Sequence, residues 1–213
     1  MTPVLHGYYR SSAAFRVRIA LALKGLDVQH VFHHLRKGGQ QTPEYLSRNP
    51  QGLVPALETL DGVLTQSMAI IEYLDETLPG ASLLPEDPFD RARVRSLAQI
   101  VACDIHPIDN LRVLNYLRTE LNQDEGSVGR WFNHWIAIGF DAIESRLAES
   151  QTGRFMHGDT PTLADICLIP QVTNAGNFQL DLEPYPRIRR IYDEAMALPA
   201  FADAAPLRQH DAE

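Results

Sequence analysis

Cysteine is scarce. The 213 residues hold only Cys103 and Cys167, far apart and in helix-like surroundings, which argues against a disulfide framework or a zinc cluster. No segment approaches the roughly 18 consecutive apolar residues of a membrane-spanning helix, so no membrane role is expected. Arg10, Arg16 and Arg18 interrupt the first twenty residues, which do not read as a signal peptide, and the cytoplasm is the default compartment. A basic block is also missing. The sum of 19 Lys and Arg against 27 Asp and Glu is a net charge of −8, so nucleic acid is not an expected partner. An anionic substrate would need a local basic pocket to overcome that field.

What remains is the composition of a globular protein, with 45% hydrophobic and 22% charged residues, neither disordered nor fibrous. Val4 to Tyr9 reads as a strand, Arg16 to Leu23 as a helix closed by Lys24-Gly25, and Val28 to His34 as a second strand. That order implies a parallel pair joined by a crossover. Pro43 to Ser47 suits one helical turn. Val54 to Glu58 and Gly62 to Leu64 flank Asp61-Gly62, a hairpin signal, and Gln66 to Leu78 reads as a helix. Beyond Asp87-Pro88 strand signals stop, and helices are expected over Asp90 to about Glu120, Val128 to Glu149, Thr162 to Gly176 and Pro186 to Leu198. The proline-rich stretch from Pro79 to Pro88 is the expected linker, dividing an α/β domain at 1–82 from an all-α domain at 88–213.

Within the long first helix, Pro107 is expected to leave the Cys103 carbonyl unpaired and to bend the axis beside Asp104 and His106. Thr162-Leu163-Ala164-Asp165 fits a reciprocal helix cap, a structural role that also accounts for Asp165. Trp131 and Trp135, four residues apart, are expected in the core. Arg16 and Arg18 are expected to pair with acidic neighbours or to cover a domain interface. His33-His34 lacks further ligands at metal spacing, so no metal role is assigned.

Three short stretches carry candidate chemistry, each with a plain structural alternative. Ser11-Ser12 opens the first helix, whose free amides and dipole favour an anion there. Such a site lowers a thiol pKa from its free value of about 8.5, but a serine there also simply caps the helix. Val54-Pro55 lies at a strand edge, where Val54 can offer its backbone to an extended peptide, or it can be an ordinary turn. Gln66-Ser67 opens the third helix and can hold a carboxylate, or merely cap.

The three stretches occur together on one α/β block. The run Ser11-Ser12-Ala13-Ala14-Phe15-Arg16-Val17-Arg18-Ile19-Ala20-Leu21 resembles the signature of zeta-class glutathione transferases. Asn49-Pro50-Gln51-Gly52-Leu53-Val54-Pro55-Ala56-Leu57 with Gln66-Ser67 is similar to their glutathione site. The likeness continues through Cys103-Asp104-Ile105-His106-Pro107, Asn110 to Leu114 and Gly158 to Asp165, and so covers nearly the whole chain. It implies a thioredoxin-like α/β N-terminal domain, an all-helical C-terminal domain, a homodimer and glutathione as cofactor. It implies that Ser11 or Ser12 assists the glutathione thiolate, Val54 with Pro55 pairs its cysteinyl backbone, and Gln66 with Ser67 holds its γ-glutamyl carboxylate. Gln40 and Gln51 are weaker contacts, Asp104, His106 and Asn110 match positions near glutathione, and Arg10 and Arg112 are candidates for substrate carboxylates.

The implied activity is glutathione-dependent cis–trans isomerisation of maleylacetoacetate, with maleylpyruvate as the alternative substrate. Leu111 beside Arg112 favours the former. The rivals are a conjugating or dehalogenating transferase and a noncatalytic binding module. Two departures stand out. Ala13 replaces the cysteine that many relatives carry after the serine pair, which excludes protein-thiol chemistry there. Asn177 stands where relatives tend to have arginine, so one carboxylate clamp is missing or relocated.

Overall fold

The computed structural model describes residues 2–213, which divide into two compact units, one of residues up to Leu83 together with Met196–Glu213 and one of Leu84–Ala195. The first unit opens with β1 (Val4–Gly7), α1 (Ser12–Lys24) and β2 (Gln29–Phe32). β1 and β2 pair in parallel, Val4 opposite Gln29 through Gly7 opposite Phe32, as the expected crossover requires. After two 3₁₀ turns come α2 (Pro43–Arg48), β3 (Ala56–Thr59), β4 (Gly62–Thr65) and α3 (Ser67–Thr77). β3 pairs antiparallel with both β1 and β4, so the mixed sheet has the order β2-β1-β3-β4. Ala14, Phe15, Val17, Ile19 and Ala20 of α1 are buried, as are Ile70, Ile71 and Leu74 of α3, and the two helices pack together.

Several boundaries differ from expectation. α1 begins at Ser12, four residues before Arg16, because Ser11 caps it and Ala13-Ala14 extend it at no steric cost. It ends as expected at Gly25, in the left-handed region at φ 65°, a conformation that suits glycine. The hairpin turns on Leu60-Asp61 rather than Asp61-Gly62, since Gly62 already pairs with Thr59. The segment 196–213, expected with the helical domain, belongs to the first unit, where the Arg18 Nε donates to the Ala204 carbonyl at 2.9 Å and the Tyr9 N–H donates to Asp211 at 2.9 Å. This segment includes the short helix α10 (Pro199–Ala202), and the short strand-to-helix loop at Tyr9 is thereby tied to a carboxylate more than two hundred residues away in sequence.

The second unit is helical. The single long helix expected over Asp90 to Glu120 is instead α4 (Pro88–Gln99), a π-helical turn (Ile100–Ile105), α5 (His106–Asp109) and α6 (Leu111–Thr119). The His106 N–H reaches back to the Val101 carbonyl, a five-residue step, and the wider turn accommodates Pro107 at the start of α5 without the simple proline kink expected. The break at Asn110 is full, with ψ 163°, and its side chain caps α6. Beyond it run α7 (Glu125–Arg146), α8 (Leu163–Asn177) and α9 (Pro186–Met196). Gly139 of α7 lies where a Cβ would collide with the Ile105 side chain of the π turn, so close approach requires glycine there. Trp131 and Trp135 are half-buried rather than core; their rings meet edge to face at 5.6 Å, and the Trp131 indole N–H donates to the Ile108 carbonyl at 2.8 Å. No helix among the described residues is long and apolar enough to cross a membrane.

Thr162 and Asp165 form the reciprocal cap of α8. The fully buried Asp165 carboxylate accepts the Thr162 N–H and hydroxyl and the Met156 N–H, each at 2.8 Å. It therefore anchors both the helix and the preceding loop. Burial pushes the Asp165 carboxyl up to about 6, against the pull of these hydrogen bonds.

Replacing Thr162 by Ala is expected to cost about 1 kcal/mol, and Asp165→Ala about 2–4 kcal/mol, because it strands buried donors as well; urea unfolding at neutral pH measures both. A carboxyl group whose folded pKa lies above its unfolded value binds the extra proton in the folded state. Its contribution to stability is full below about pH 4 and is lost as pH rises to about 6, at about 1.4 kcal/mol per pH unit. A ¹³C-carboxyl titration should place the Asp165 midpoint near 6; a midpoint near 4 would refute the shift.

Candidate functional site

The loop from β1 to α1 delivers Ser11 to the helix end. The Ser11 Oγ accepts the Ala14 N–H at 3.1 Å and the Ser11 N–H donates to the Tyr8 carbonyl at 3.0 Å. With its oxygen engaged as an acceptor, the hydroxyl keeps its proton to donate. Ser11 is half-buried, whereas Ser12, the first helical residue, is buried. The first turn of α1 holds no acidic residue, so the helix-end field is not cancelled. Arg10 is exposed, with its guanidinium 5.7 Å from the centre of the Tyr9 ring.

Between α2 and β3 the chain is held from one side. Tyr45 Oη donates to the Leu53 carbonyl at 2.6 Å, and Asn49 Nδ2 donates to the same oxygen at 2.7 Å. Tyr45 and Asn49 are themselves buried, and burial raises the Tyr45 phenol above its usual value. The Val54–Pro55 bond is cis, and both residues are buried. The Val54 backbone N–H and carbonyl have no hydrogen-bond partner among the described residues. A neighbouring donor and acceptor left open in this way can complete a short ladder with an extended peptide.

α3 opens at Gln66, whose backbone sits at φ 70°, in the left-handed region that non-glycine residues enter at a cost. Its amide donates to Gln51 Oε1 at 2.7 Å, so the structure brings Gln51 and Gln66 together on the exposed rim. Ser67 is buried beneath them and accepts a hydrogen bond from Arg16 Nη1 at 3.4 Å. Gln40 lies in the second 3₁₀ turn, its Oε1 buried without a hydrogen-bond partner among the described residues. Next to it, Gln41 donates to the Gly52 carbonyl at 3.3 Å and touches Gly52 so closely, at φ 59°, that a side chain there would meet its amide.

Of the two roles expected for Arg16, pairing with an acidic neighbour is not seen among the described residues. The residue is 1% exposed, Nε and Nη2 have no hydrogen-bond partner, and none of its nitrogens joins an ion pair among the described residues. Arg18 differs: burial pushes it down to about 10, opposed by Asp211, and carbonyls of Ala204 and Tyr9 receive its protons. Asn49 and Arg16 lie within the motifs of the resemblance and Tyr45 within the expected helical turn, but sequence reasoning missed what each does here: the two hydrogen bonds to the Leu53 carbonyl and the unpaired guanidinium. Asn49-Pro50 carried a local turn signal as well.

His6 and His33 lie within hydrogen-bond distance at 2.9 Å, and His6 reaches Glu58 at 3.0 Å, with Arg48 on the same carboxylate at 2.5 Å. Burial, then the neighbouring His6, lowers the His33 pKa. This network ties β1 to β3; among the described residues no group of three or more His, Cys, Asp or Glu side chains is placed to hold a metal ion.

In the second unit, Asp104 is exposed on the π turn and His106 is half-buried, its Nδ1 3.7 Å from Asp109. Asp109 is buried and accepts the Gln171 amide at 2.6 Å. Asn110 is spent largely on structure, since its oxygen accepts the N–H groups of Arg112 and Val113 and its amide donates to the Pro107 carbonyl at 2.8 Å. Arg112 is exposed on the first turn of α6, and Asn177 is exposed at the last residue of α8.

Residues 2–76 match the glutathione S-transferase N-terminal domain, and residues 139–194 match the C-terminal domain of the same family. Over 97% of its length the chain is 49% identical to a maleylpyruvate isomerase of a Ralstonia species, 98% of which is covered. It is 48% identical to the maleylacetoacetate isomerase of Pseudomonas aeruginosa, over 97% of both chains. Its fold superposes with a TM-score of 0.97 on the holo structure of a maleylpyruvate isomerase described as a bacterial zeta-class glutathione S-transferase, at 48% identity, covering 99% of this chain and all of that one. It superposes with a TM-score of 0.96 on a maleylacetoacetate isomerase from Methylobacterium extorquens AM1 with bound malonate and GSH, at 47% identity and 99% coverage of each chain. With both domain models matched and full-length kinship near one half identity, the chain belongs to the glutathione S-transferase family, in its zeta class.

Proposed function

We propose that this chain is a glutathione-dependent cis–trans isomerase that converts maleylacetoacetate to fumarylacetoacetate. The observation that carries the reading is the end-to-end kinship with isomerases of that name and of maleylpyruvate. The residues of the first unit fit the cofactor: an open backbone donor and acceptor at Val54, an uncompensated helix end beside Ser11, and a buried cation beneath Ser67. Together they suit a peptide carrying a thiol and a carboxylate. Val54, beside Pro55, would pair the cysteinyl backbone, Gln66 and Ser67 would take the γ-glutamyl carboxylate, and Gln40 and Gln51 would add contacts at the edge.

When bound, glutathione supplies a sulfur that is both nucleophile and leaving group, so that a conjugated cis double bond becomes single long enough to rotate. The chain's own task is to keep that sulfur ionised and to hold the acid. Ser11 leads, because its oxygen is already used by the Ala14 N–H and its proton is free to donate, while the helix dipole adds to the same effect. Ser12 is its buried neighbour. Arg10 and Arg112 are exposed guanidinium groups whose planar fork suits carboxylates and the negative charge that develops on the keto oxygen. Asp104, His106 and Asn110 are assigned to the glutathione side by resemblance, with Asn110 left one amide hydrogen for that role. Maleylpyruvate is the second reading, favoured by the 0.97 superposition on the maleylpyruvate isomerase. The homodimer and the cytoplasmic location belong to the same proposal.

Three measurements follow. Ultraviolet titration of bound glutathione should show the thiol below its free value of about 8.5, and Ser11→Ala should raise it more than Ser12→Ala; no rise in either variant would refute the serine assignment. Arg112→Ala should lower turnover about tenfold or more while moving glutathione affinity little, as for removal of one charge-assisted contact to substrate; equal losses in both would reject a substrate role. Assayed side by side, maleylacetoacetate should give the higher kcat/KM, and a preference for maleylpyruvate would transfer the reading to that substrate.

A further inference from the structure

α3 begins in unusual electrostatic company. Its first turn contains no acidic residue, its leading N–H groups form the positive end of an eleven-residue helix, and the side chain packed behind it is a second positive charge. Arg16 cannot shed that charge, because a guanidinium stays protonated in proteins. A buried ion without a counter-ion is strongly disfavoured, and here the like-signed helix end makes matters worse. Yet Arg16 has no acid, and two of its three nitrogens have no acceptor among the described residues. Arg18, two residues on, shows how the same fold satisfies a buried guanidinium when it is purely structural, with two carbonyls and the charge of Asp211.

The contact with Ser67 supplies the direction. By donating Nη1 to Ser67 Oγ at 3.4 Å, Arg16 occupies a lone pair of the hydroxyl and leaves its proton to point elsewhere. The hydroxyl then acts as a donor towards the mouth of α3, with the cation polarising it from behind. We propose that Arg16 is a positioning residue whose buried charge is the counter-ion of a ligand carboxylate at the start of α3, relayed through Ser67, so that the site selects tripeptide thiols bearing a free α-carboxylate on the amino-terminal residue. This rests on the reading of Gln66 and Ser67 as the γ-glutamyl site. It adds that the selectivity for that carboxylate originates in α1, in a residue that does not itself touch the ligand.

The test compares glutathione with γ-aminobutyryl-cysteinylglycine, the same thiol peptide without that carboxylate, by calorimetric titration of the full chain. The wild type should prefer glutathione by about 10- to 100-fold, the range of a charge-assisted hydrogen bond. Arg16→Met should erase most of that preference while leaving affinity for the analogue unchanged, and Arg16→Lys should restore part of it. Equal weakening of both ligands, or an undiminished preference in Arg16→Met, would overturn the proposal. Equal binding of both ligands by the wild type would also overturn it while leaving the glutathione reading intact, whereas failure of the wild type to bind glutathione at all would overturn that reading instead. A measurement on the unmodified chain covers the case in which Arg16→Met does not fold. With ¹⁵N-labelled arginine, the Arg16 Nε–H resonance should shift on addition of glutathione and not of the analogue, and a resonance unmoved by both would contradict the assignment.

Discussion

The Leu53 carbonyl accepts two short hydrogen bonds, one from the phenol of Tyr45 and one from the amide of Asn49. Because both donors are buried, the carbonyl has no freedom to turn, and the next residue is presented at a fixed angle. Val54 thus keeps an N–H and a C=O with no hydrogen-bond partner among the described residues, two positions before β3 begins. An open backbone pair in a folded protein is ordinarily costly. Its persistence here is what the proposed reading uses, in which Val54 would pair with the extended backbone of glutathione.

The same unit resolves a conflict in the charge balance. A chain of net charge −8 repels anions at long range, and an anionic cofactor and substrate have to be captured by short-range fields. α1 and α3 both have first turns without acidic residues, and in the proposed reading these helix ends would supply one part. In the proposed reading the buried Arg16 and the exposed Arg10 would add two further contributions. None of these is a basic patch in the usual sense, which is why composition alone conceals them.

Much of the fold was legible because it is written in local chemistry. Alternation and punctuation marked β1, α1, β2 and the hairpin, and the Thr162-to-Asp165 spacing marked a cap that the structure contains. The failures have a common physical origin. A periodic helical pattern does not distinguish an unbroken α-helix from α4, a π turn, α5 and α6 in series, since each keeps apolar residues on one side. The hairpin slipped by one residue because Asp61-Gly62 is a strong turn signal on its own, while pairing of Gly62 with Thr59 is decided across the sheet. The return of 196–213 to the first unit depends on Arg18 and Tyr9, 186 and 202 residues upstream of their partners. At the site, the serines, Val54 and Gln66 with Ser67 stood out by resemblance. Arg16 was visible in the same motif, but an absent counter-ion is a three-dimensional fact.

Isomerisation by this chain depends on a borrowed sulfur that is returned unchanged. Following a ¹³C-labelled maleyl keto acid by NMR with substoichiometric glutathione tests this directly: many turnovers of cis acid to trans acid should occur while the glutathione resonances keep their full intensity. Turnover at the same rate without glutathione, or loss of one glutathione for each acid converted, would contradict it.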